Sequence, residues 1–389
     1  MTGIYIHIPF CDHICFYCDF PKVLKQGQPV DAYLRMLLKE IKKGLALRPT
    51  YLPETLYIGG GTPSAISSSQ LAFLLGGIRE LVDLNRLKEF SMETNPNDLN
   101  DLEKLKIMFD HGVKRISIGA QSFNDETLKR IGRTHDRNSI IKAVENAQQV
   151  GFKDISLDLM FRLPGQTFEE FKENLRQALD LGVNHLSIYS LILEQHTVFH
   201  NLLLEHRLKL PDYEQDRKMY EYAMEQLQKN GWHQYEISNF AKDGTESLHN
   251  KLYWQNENYF GFGAGAHGYL SGARIQNKQV IGSYINDLEI NEMPILKTRQ
   301  LTKQEQIEEE MFLGLRLNQG VDLVKSSLKF NVDLSNIYRD PIDELLAKGL
   351  IEQNESKIRL SSEGRYFAND VFSAFLLDKS ARDNLTLEE

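Results

Sequence analysis

The sequence predicts an α/β fold: an incomplete (β/α)6 barrel followed by a smaller, mainly helical domain that resembles a winged helix. Two observations carry this prediction. Short β-branched runs alternate with amphipathic helical patterns over residues 1–190, which is typical of parallel strands joined by right-handed crossovers. Beyond Pro211 this alternation stops, and near the C-terminus a helix, a strand pair and a last helix follow one another. Six strand–helix units are too few for a closed eightfold barrel.

The elements of the barrel follow from the two side-chain periods. Runs rich in β-branched residues predict strands at 4–8, 55–58, 90–93, 115–118, 155–160 and 185–189. The amphipathic stretches between them predict helices at 31–45, 69–82, 99–111, 139–150 and 167–181. Gly112, Gly151 and Gly182 come just before strands, where glycine commonly ends the preceding helix.

The second half of the chain is less regular. We predict a helix at 213–228, an extra strand at 234–238 and a loop-rich, aromatic stretch at 247–270. An acidic helical region begins near Thr302, followed by a helix at 342–348, a turn–strand pair at 350–360 and a helix at 362–375. The charged tail after Asp378 is expected to fray. These patterns divide the chain into a barrel (1–210), an extension (211–300) and a C-terminal domain (301–389).

The composition excludes several classes of protein. The 389 residues carry a net charge of −9, so a large basic field for nucleic acid is absent, and the acidic C-terminal region is interpreted as a packing or partner surface. No apolar run approaches the ~20 residues that span a bilayer. The N-terminus has neither a positive region nor a cleavage site of the kind found in signal peptides. We therefore expect a cytoplasmic protein, with peripheral membrane association left open.

The three cysteines of the chain, Cys11, Cys15 and Cys18, form one C-x3-C-x2-C group. An odd, closely spaced set cannot form a disulfide framework. A structural zinc site needs further Cys or His ligands at a matching spacing. His13 lies inside the cysteine loop, and no second ligand pair follows it in the sequence. The spacing favours three thiolates on one [4Fe–4S] cluster, which leaves one iron without a protein ligand. Zinc and inert thiols stay as the weaker alternatives.

Glycines and strand-end polar residues point to the same site. The segment Gly59-Gly60-Gly61-Thr62-Pro63 follows the second strand and permits close approach of the backbone to a ligand, although a tight turn would explain it equally well. Polar groups also lie at or near the ends of later strands, where parallel barrels place their reacting groups. These groups are Glu93, Gln121, Arg133 and Asp158.

The cysteine triplet resembles the defining motif of the radical S-adenosylmethionine (SAM) superfamily. Four segments narrow the resemblance to its coproporphyrinogen-dehydrogenase branch: residues 5–11 (YIHIPFC), 59–63 (GGGTP), 119–122 (GAQS) and 158–165 (DLMFRLPG). In that superfamily the open iron of the cluster chelates SAM, and an electron then releases a 5′-deoxyadenosyl radical. The resemblance implies that SAM is contacted by Tyr5, Tyr17, Gly60, Gly61, Thr62, Glu93, Gln121, Arg133 and Asp158. Ala266 and His267 are less secure additions to this set.

Two departures separate the chain from the dehydrogenase. That enzyme has a further cysteine two residues after the triplet, where this chain has Phe20, and a longer segment before the cluster, where this chain has ten residues. Instead, the motif HNxxYW at 249–254 resembles the HemW-type haem chaperones. The resemblance implies haem ligation by His249, because imidazole is a common axial ligand, with Tyr253 and Trp254 offering flat apolar faces. Taken alone, the same motif would more often be a buried loop cap with two core aromatics.

One further glycine motif is set aside. Residues 261–266 (GFGAGA) formally match the dinucleotide fingerprint G-x-G-x-x-G/A. That fingerprint requires a buried strand before it and a helix after it, and neither is evident here. We interpret the segment as a close-packed glycine loop near the SAM or haem pocket.

The resemblance thus implies a haem chaperone with three cofactors: a [4Fe–4S] cluster, SAM and haem. Its expected partners are apoproteins that accept haem, such as haem enzymes of respiratory membranes, and its expected assembly is a homodimer. The first alternative is an oxygen-independent coproporphyrinogen III dehydrogenase, which would decarboxylate propionate side chains. A radical SAM enzyme with an unrelated substrate is the weaker third hypothesis. Whether the chain turns over SAM as an enzyme stays open.

Overall fold

A computed structural model of the chain describes residues 1–377, so the predicted frayed tail lies outside the described residues. Its main sheet has twelve strands in the order β14-β13-β12-β11-β1-β4-β5-β6-β7-β8-β10-β9. The strands are β1 (Thr2–Ile8), β2 (Phe10–Cys11), β3 (Val23–Leu24), β4 (Thr55–Gly60), β5 (Glu89–Thr94), β6 (Arg115–Gln121), β7 (Asp154–Phe161), β8 (His185–Ser190), β9 (His233–Gln234), β10 (Asn239–Ala241), β11 (Asn258–Phe262), β12 (His267–Leu270), β13 (Ala273–Asn277), β14 (Ile295–Gln300), β15 (Val321–Asp322), β16 (Ile351–Asn354) and β17 (Lys357–Leu360).

The helices pack on the outer face of this sheet and form most of the C-terminal domain. They are α1 (Val30–Leu47), α2 (Ser68–Leu81), α3 (Leu102–Asp110), α4 (Asp125–Arg130), α5 (Arg137–Val150), α6 (Phe168–Asp180), α7 (Val198–Leu204), α8 (Tyr213–Lys229), α9 (Leu248–Trp254), α10 (Ile281–Glu289), α11 (Lys303–Gly314), α12 (Leu323–Phe330), α13 (Leu334–Ile337), α14 (Arg339–Ala347) and α15 (Ala368–Ser373).

The incomplete parallel barrel predicted from the sequence is confirmed. All six predicted strands are present, as β1 and β4 to β8, and each pairs in parallel with its neighbour in the sheet. Local signals fix the crossover helices: Ser67 and Gln70 form a capping box at the start of α2, and Gly151 ends α5 with φ +114°. The sequence did not predict the seventh parallel strand, β11, which pairs with β1.

Two predictions for the extension are wrong. Residues 234–238 are not one strand, because β9 and β10 form an antiparallel hairpin whose turn occupies 235–238. The stretch 247–270 is not loop-rich, because it holds α9, β11 and β12. The glycines in this stretch are unusual for strands, so the sequence pattern did not predict β11 and β12. A Cβ on Gly261 would lie 1.9 Å from the carbonyl oxygen of His267, so only glycine allows β11 and β12 to pack together. Close packing is therefore the role of this glycine segment.

The C-terminal domain has its own hydrophobic core, which includes Met311, Tyr338 and Phe375. Its three-stranded sheet has the order β15-β17-β16, and helices α11 to α15 surround it in the helix–wing–helix order expected from the sequence. The last helix is shorter than predicted, since α15 covers only part of 362–375. Among residues 1–377, no helix is both long and apolar enough to cross a membrane.

Candidate cluster and cofactor site

The inner face of the barrel is polar, which is unusual for buried parallel strands. A cavity of about 400 Å³ opens there, between the cysteine loop and the strands β4 to β8. Its walls come from alternate positions of each strand, so the outward positions remain apolar and pack on the helices. The inward polar residues are Ser91, Glu93, Arg115, Ser117, Gln121, Ser156, Asp158, His185, Ser187 and Tyr189.

The three cysteines line the mouth of this cavity. Cys11 is buried at the end of β2, and Cys15 and Cys18 are half-buried in the loop that follows. Burial raises the pKa of the Cys11 thiol to about 11, an effect that coordination to a metal overcomes. No three Cys, His, Asp or Glu side chains within residues 1–377 converge on a single ion. The three thiols supply three of the four thiolates that a [4Fe–4S] cluster normally takes.

The glycine segment at the end of β4 packs against the cysteine loop. Gly60 has φ +121°, and a Cβ there would lie 2.7 Å from the ring of His7. A Cβ on Gly61 would lie 2.9 Å from Sγ of Cys11. Next to them, the hydroxyl of Thr62 donates to the same Sγ at 3.5 Å. Glycine is therefore required at both positions, because a side chain at Gly60 would displace the ring of His7 and one at Gly61 would displace Cys11.

Glu93 lies inside the cavity as a half-buried carboxylate that accepts two hydrogen bonds. Its Oε1 accepts from the hydroxyl of Tyr57 at 2.9 Å, and its Oε2 accepts from the backbone N–H of Gly60 at 3.0 Å. Burial raises the pKa of Glu93 to about 7, and the negative charge of Asp158 adds to this shift. The carboxyl group is thus poised to gain or lose its proton near neutral pH.

Gln121, Arg133 and Asp158 also line the cavity. A register shift in β6 between Ile118 and Gln121, with φ +66° at Gln121, directs this side chain inward, where it accepts from Tyr189 at 3.0 Å. Arg133 donates to the carbonyl of Gly119 at 2.6 Å and to Sγ of Cys15 at 3.6 Å. Asp158 accepts from Ser117 at 3.0 Å, and burial raises its pKa.

The two predicted tyrosine contacts differ in position. Tyr17 lines the cavity beside the cysteines. Tyr5 is not among the lining residues, because its hydroxyl turns to Nδ1 of His7 at 2.9 Å. Nε2 of that histidine reaches the carbonyl of Pro21 at 2.7 Å, so Tyr5 supports the cysteine loop from behind. Ala266 and His267 also lie outside the cavity lining.

His249 lies beneath the cavity floor, in the first turn of α9. It is fully buried, and both of its ring nitrogens are hydrogen-bonded: Nδ1 to the hydroxyl of Thr55 at 2.8 Å and Nε2 to the hydroxyl of Tyr253 at 2.8 Å. Burial lowers its pKa to about 3, so the imidazole is neutral. In this arrangement neither nitrogen is free for iron. The neighbours Ser247 and Asn250 do face the cavity.

Comparison with known proteins identifies the family. Residues 5–178 match the radical SAM superfamily model, and residues 301–367 match the HemN C-terminal domain model. Heme chaperone HemW of Bacillus subtilis is 47% identical over 377 residues, covering 97% of this chain and 99% of that protein. Heme chaperone HemW of Lactococcus lactis is 45% identical, covering 97% of this chain and 98% of that protein. The chain belongs to the HemW family.

A solved structure agrees with this family at the level of the fold. Coproporphyrinogen III oxidase (HemN) from Escherichia coli superposes with a TM-score of 0.83, covering 96% of this chain and 90% of that chain. The sequences are only 23% identical, so this likeness shows the shared architecture alone. As a member of the HemW family, the chain shares the radical SAM barrel and the C-terminal domain with that structure.

The side chains of this HemW-family cavity fit a SAM-bound [4Fe–4S] cluster. Three thiols face one space that no fourth cysteine enters, and Gly60 and Gly61 keep that space open. Nε of Arg133 is buried without a hydrogen-bond partner in the described part of the chain, which leaves a donor for a ligand. Two half-buried carboxyl groups that line the cavity, Glu93 and Asp158, can offset the positive charge of a sulfonium.

Sequence reasoning missed several residues of this site. Tyr57 supports Glu93, Tyr189 supports Gln121, and Ser117 supports Asp158. A signal for all three is present in the sequence. Strands β4 to β8 alternate polar and apolar residues although helices cover their outer faces, so the polar set must point into the barrel. Asn250 carries no such signal, because its helix was not predicted.

Proposed function

We propose that this chain is a haem chaperone that carries a [4Fe–4S] cluster with bound SAM and delivers haem to acceptor proteins. The single observation that carries the proposal is the match along nearly the whole length to relatives named heme chaperone HemW, at 47% and 45% identity. The cysteine triplet without a fourth cysteine and the cavity behind it support the same conclusion.

The cluster and SAM would be held by the residues already described. Cys11, Cys15 and Cys18 would bind three irons, and Thr62 would donate to one of the sulfurs. Glu93, Gln121, Arg133 and Asp158 would surround SAM, with Tyr17 and the two glycines closing its sides. When bound, the cluster supplies one-electron chemistry at the SAM sulfonium; the protein orients the parts and excludes water.

His249 is the proposed haem ligand, and the structure sets a condition on this role. Iron needs a free nitrogen, so Nε2 would have to exchange the hydroxyl of Tyr253 for the metal. The imidazole is fully buried, so α9 would also have to move away from the barrel floor to admit a porphyrin. A neutral imidazole favours this exchange, because no proton must leave before the iron binds.

The remaining proposals concern the partners, the assembly and the cellular location of the protein. Haem-binding apoproteins are the proposed acceptors, with respiratory haem enzymes as the specific class, and a homodimer is the proposed assembly. Three reduced thiols support a cytoplasmic location, because iron–sulfur ligands are kept reduced there. The net charge of −9 supports the absence of a nucleic-acid partner.

Anaerobic reconstitution separates this proposal from the dehydrogenase hypothesis. The reconstituted protein is titrated with haem and, separately, incubated with coproporphyrinogen III, SAM and a reductant. We expect a Soret band that persists through gel filtration, and that weakens in His249→Ala but not in His111→Ala, a half-buried histidine in the loop after α3. Formation of protoporphyrinogen, or the absence of any haem complex, would overturn the proposal.

A further inference from the structure

A second cavity lies between the barrel and the C-terminal domain. It has a volume of about 530 Å³, which is within the range of about 300–1,000 Å³ typical of ligand pockets. Its walls are the end of β8, one face of α8 and residues 365–372 of the C-terminal domain. We call it the interdomain cleft. Nothing in the site described so far uses it.

Aromatic rings dominate the walls of the interdomain cleft. Tyr220 of α8 stacks on Phe161, with centroids 6.0 Å apart and planes at 12°, and Tyr366 meets Tyr220 edge-on at 5.7 Å. Tyr213 and Phe367 lie at the same opening with 55% and 37% of their surfaces exposed. Flat apolar rings left open to solvent indicate a flat apolar ligand, because stacking is their main favourable contact.

Two arginines of the interdomain cleft have unused hydrogen-bonding capacity. Among residues 1–377, no carboxylate lies within 4.0 Å of the Arg365 guanidinium. This guanidinium contacts Sδ of Met224 at 3.9 Å. Nε of Arg316 is buried without a partner, and the carboxylate of Glu236 is 3.8 Å from its Nη2. By contrast, Arg217 donates twice to Glu363, at 3.0 and 2.8 Å.

The two acidic residues that line the cleft, Asp216 and Asp370, form no ion pair with these arginines in the described part of the chain. Asp216 accepts from Ser190 at 2.9 Å, and burial raises its pKa. Asp370 is exposed at the rim. Within residues 1–377 Arg365 thus has no carboxylate partner and Arg316 has Glu236 at 3.8 Å, which leaves both guanidinium groups with N–H donors for anionic groups of a ligand.

The cleft is connected to both functional elements of the barrel. Tyr189 lines the cluster cavity and the interdomain cleft, so its ring is a wall shared by the two. The guanidinium of Arg316 lies 4.2 Å from the ring centroid of Trp254, which belongs to the same helix as His249. A ligand in the cleft thus touches groups that contact the SAM site and α9.

We propose that the interdomain cleft is the docking site of haem, with its aromatic walls on the tetrapyrrole plane and Arg316 and Arg365 on the two propionates. This inference rests on the proposed function and adds the place where haem first binds. It does not require His249, because the cleft holds the ring and the carboxylates rather than the iron.

Metal-free protoporphyrin IX tests the cleft without any contribution from an axial ligand. Its affinity for the full-length protein is measured by quenching of porphyrin fluorescence, alongside its dimethyl ester, which lacks the carboxylates. We expect Arg365→Ala to weaken binding of the free acid about tenfold, as for the loss of a charge-assisted hydrogen bond. Arg365→Lys should restore part of the affinity. The matched control is Arg359→Ala, an exposed arginine of the same domain that pairs with Glu352.

The ester provides the decisive comparison. It should bind wild-type protein weakly, and Arg365→Ala should change its affinity by less than about twofold, because the lost contact needs a carboxylate. Equal binding of the free acid by Arg365→Ala and Arg359→Ala would overturn the proposal that haem docks in the cleft. So would haem binding without porphyrin binding, an outcome that leaves the chaperone function intact. If neither haem nor porphyrin binds the wild type, both proposals fail.

Discussion

The imidazole of His249 stacks on the ring of Tyr57, with centroids 5.3 Å apart and an angle of 22° between the planes. The hydroxyl of Tyr57 in turn donates to Glu93 at 2.9 Å. One tyrosine therefore joins the proposed haem ligand to a carboxylate of the SAM cavity. A change at either end alters the packing of the other, because the stacked rings are buried and have little room to shift.

Tyr253→Phe should strengthen haem binding. The substitution removes the hydroxyl that occupies Nε2 of His249 and keeps the ring that packs edge-on against Tyr259 at 4.7 Å. A hydrogen bond of this kind contributes about 0.5–1.5 kcal/mol net, so the haem dissociation constant should fall about two- to tenfold. Haem titration followed at the Soret band measures the change.

The control for this variant is Tyr253→Phe combined with His249→Ala. If His249 binds iron, the double variant loses the gain, because there is no nitrogen left to release. A gain that persists in the double variant would mean that iron binds elsewhere. Weaker binding in Tyr253→Phe alone would mean that the hydroxyl, rather than the imidazole, holds haem.

Cys15→Ser should abolish the cluster, whereas Thr62→Val should retain it. The first change removes one of three ligands, and the second removes only a hydroxyl that donates to Sγ of Cys11 at 3.5 Å. Iron and sulfide are quantified after anaerobic reconstitution, and the reduction potential of Thr62→Val is measured. We expect this potential to fall, since a hydrogen bond to sulfur stabilises the reduced cluster. Full iron content in Cys15→Ser would contradict the assignment.

The sequence predicted the parts of the fold whose signals are local. The six strands and their helices carry clear periods and caps, such as Ser67 with Gln70, so their order follows without the tertiary structure. The cysteine triplet is local in the same sense. Helix α9 has seven residues, and its periodicity is too brief to separate it from a loop.

The surroundings of His249 could not be predicted for a different reason. Its Nδ1 is bonded to Thr55, which is 194 residues away in sequence. The packing of α9 under the barrel joins them, and no short pattern encodes that contact. Similarly, Tyr5 belongs to a motif suggestive of SAM binding, yet its hydroxyl is taken by His7. Motifs locate a site, and the tertiary structure decides which atoms remain available in it.

SAM should bind more tightly as the pH rises from 6 to 8. The cavity raises the pKa of the Glu93 carboxyl to about 7, so the group is largely neutral at pH 6 and anionic at pH 8, and the anion attracts the SAM cation. Below pH 7 the dissociation constant should rise by up to about tenfold per pH unit. Calorimetric titration of the reconstituted protein at several pH values measures this slope.

Glu93→Gln isolates the contribution of this carboxyl group. The variant should bind SAM more weakly at pH 8 and lose most of the slope, while Asp158, on β7 and separated from Glu93 by β6, remains to titrate. Without SAM, the raised pKa predicts that the folded wild type loses stability as pH rises from about 4.5 to 7, because the folded state holds a proton that the unfolded state releases. A slope in Glu93→Gln equal to that of the wild type would assign the titration to another group.

Glu89→Gln should loosen α9 and speed the uptake of haem. Glu89 is buried at the N-terminus of α9, where its carboxylate accepts from the hydroxyl of Ser247 at 3.1 Å and from the backbone N–H of Leu248 at 2.5 Å. A negative charge there stabilises the helix through its dipole and its free N–H groups, by about 1–2 kcal/mol in buried geometry. Amide hydrogen exchange of residues 248–254 measures the loss.

The kinetic part of this prediction links α9 to haem. If His249 must leave the floor before it binds iron, a destabilised α9 raises the population of the open form, and stopped-flow mixing should show about five- to thirtyfold faster ligation. Glu344→Gln, which alters an exposed pair with Lys348, is the matched surface control. Faster amide exchange without faster ligation would mean that haem reaches its ligand by a route that leaves α9 in place.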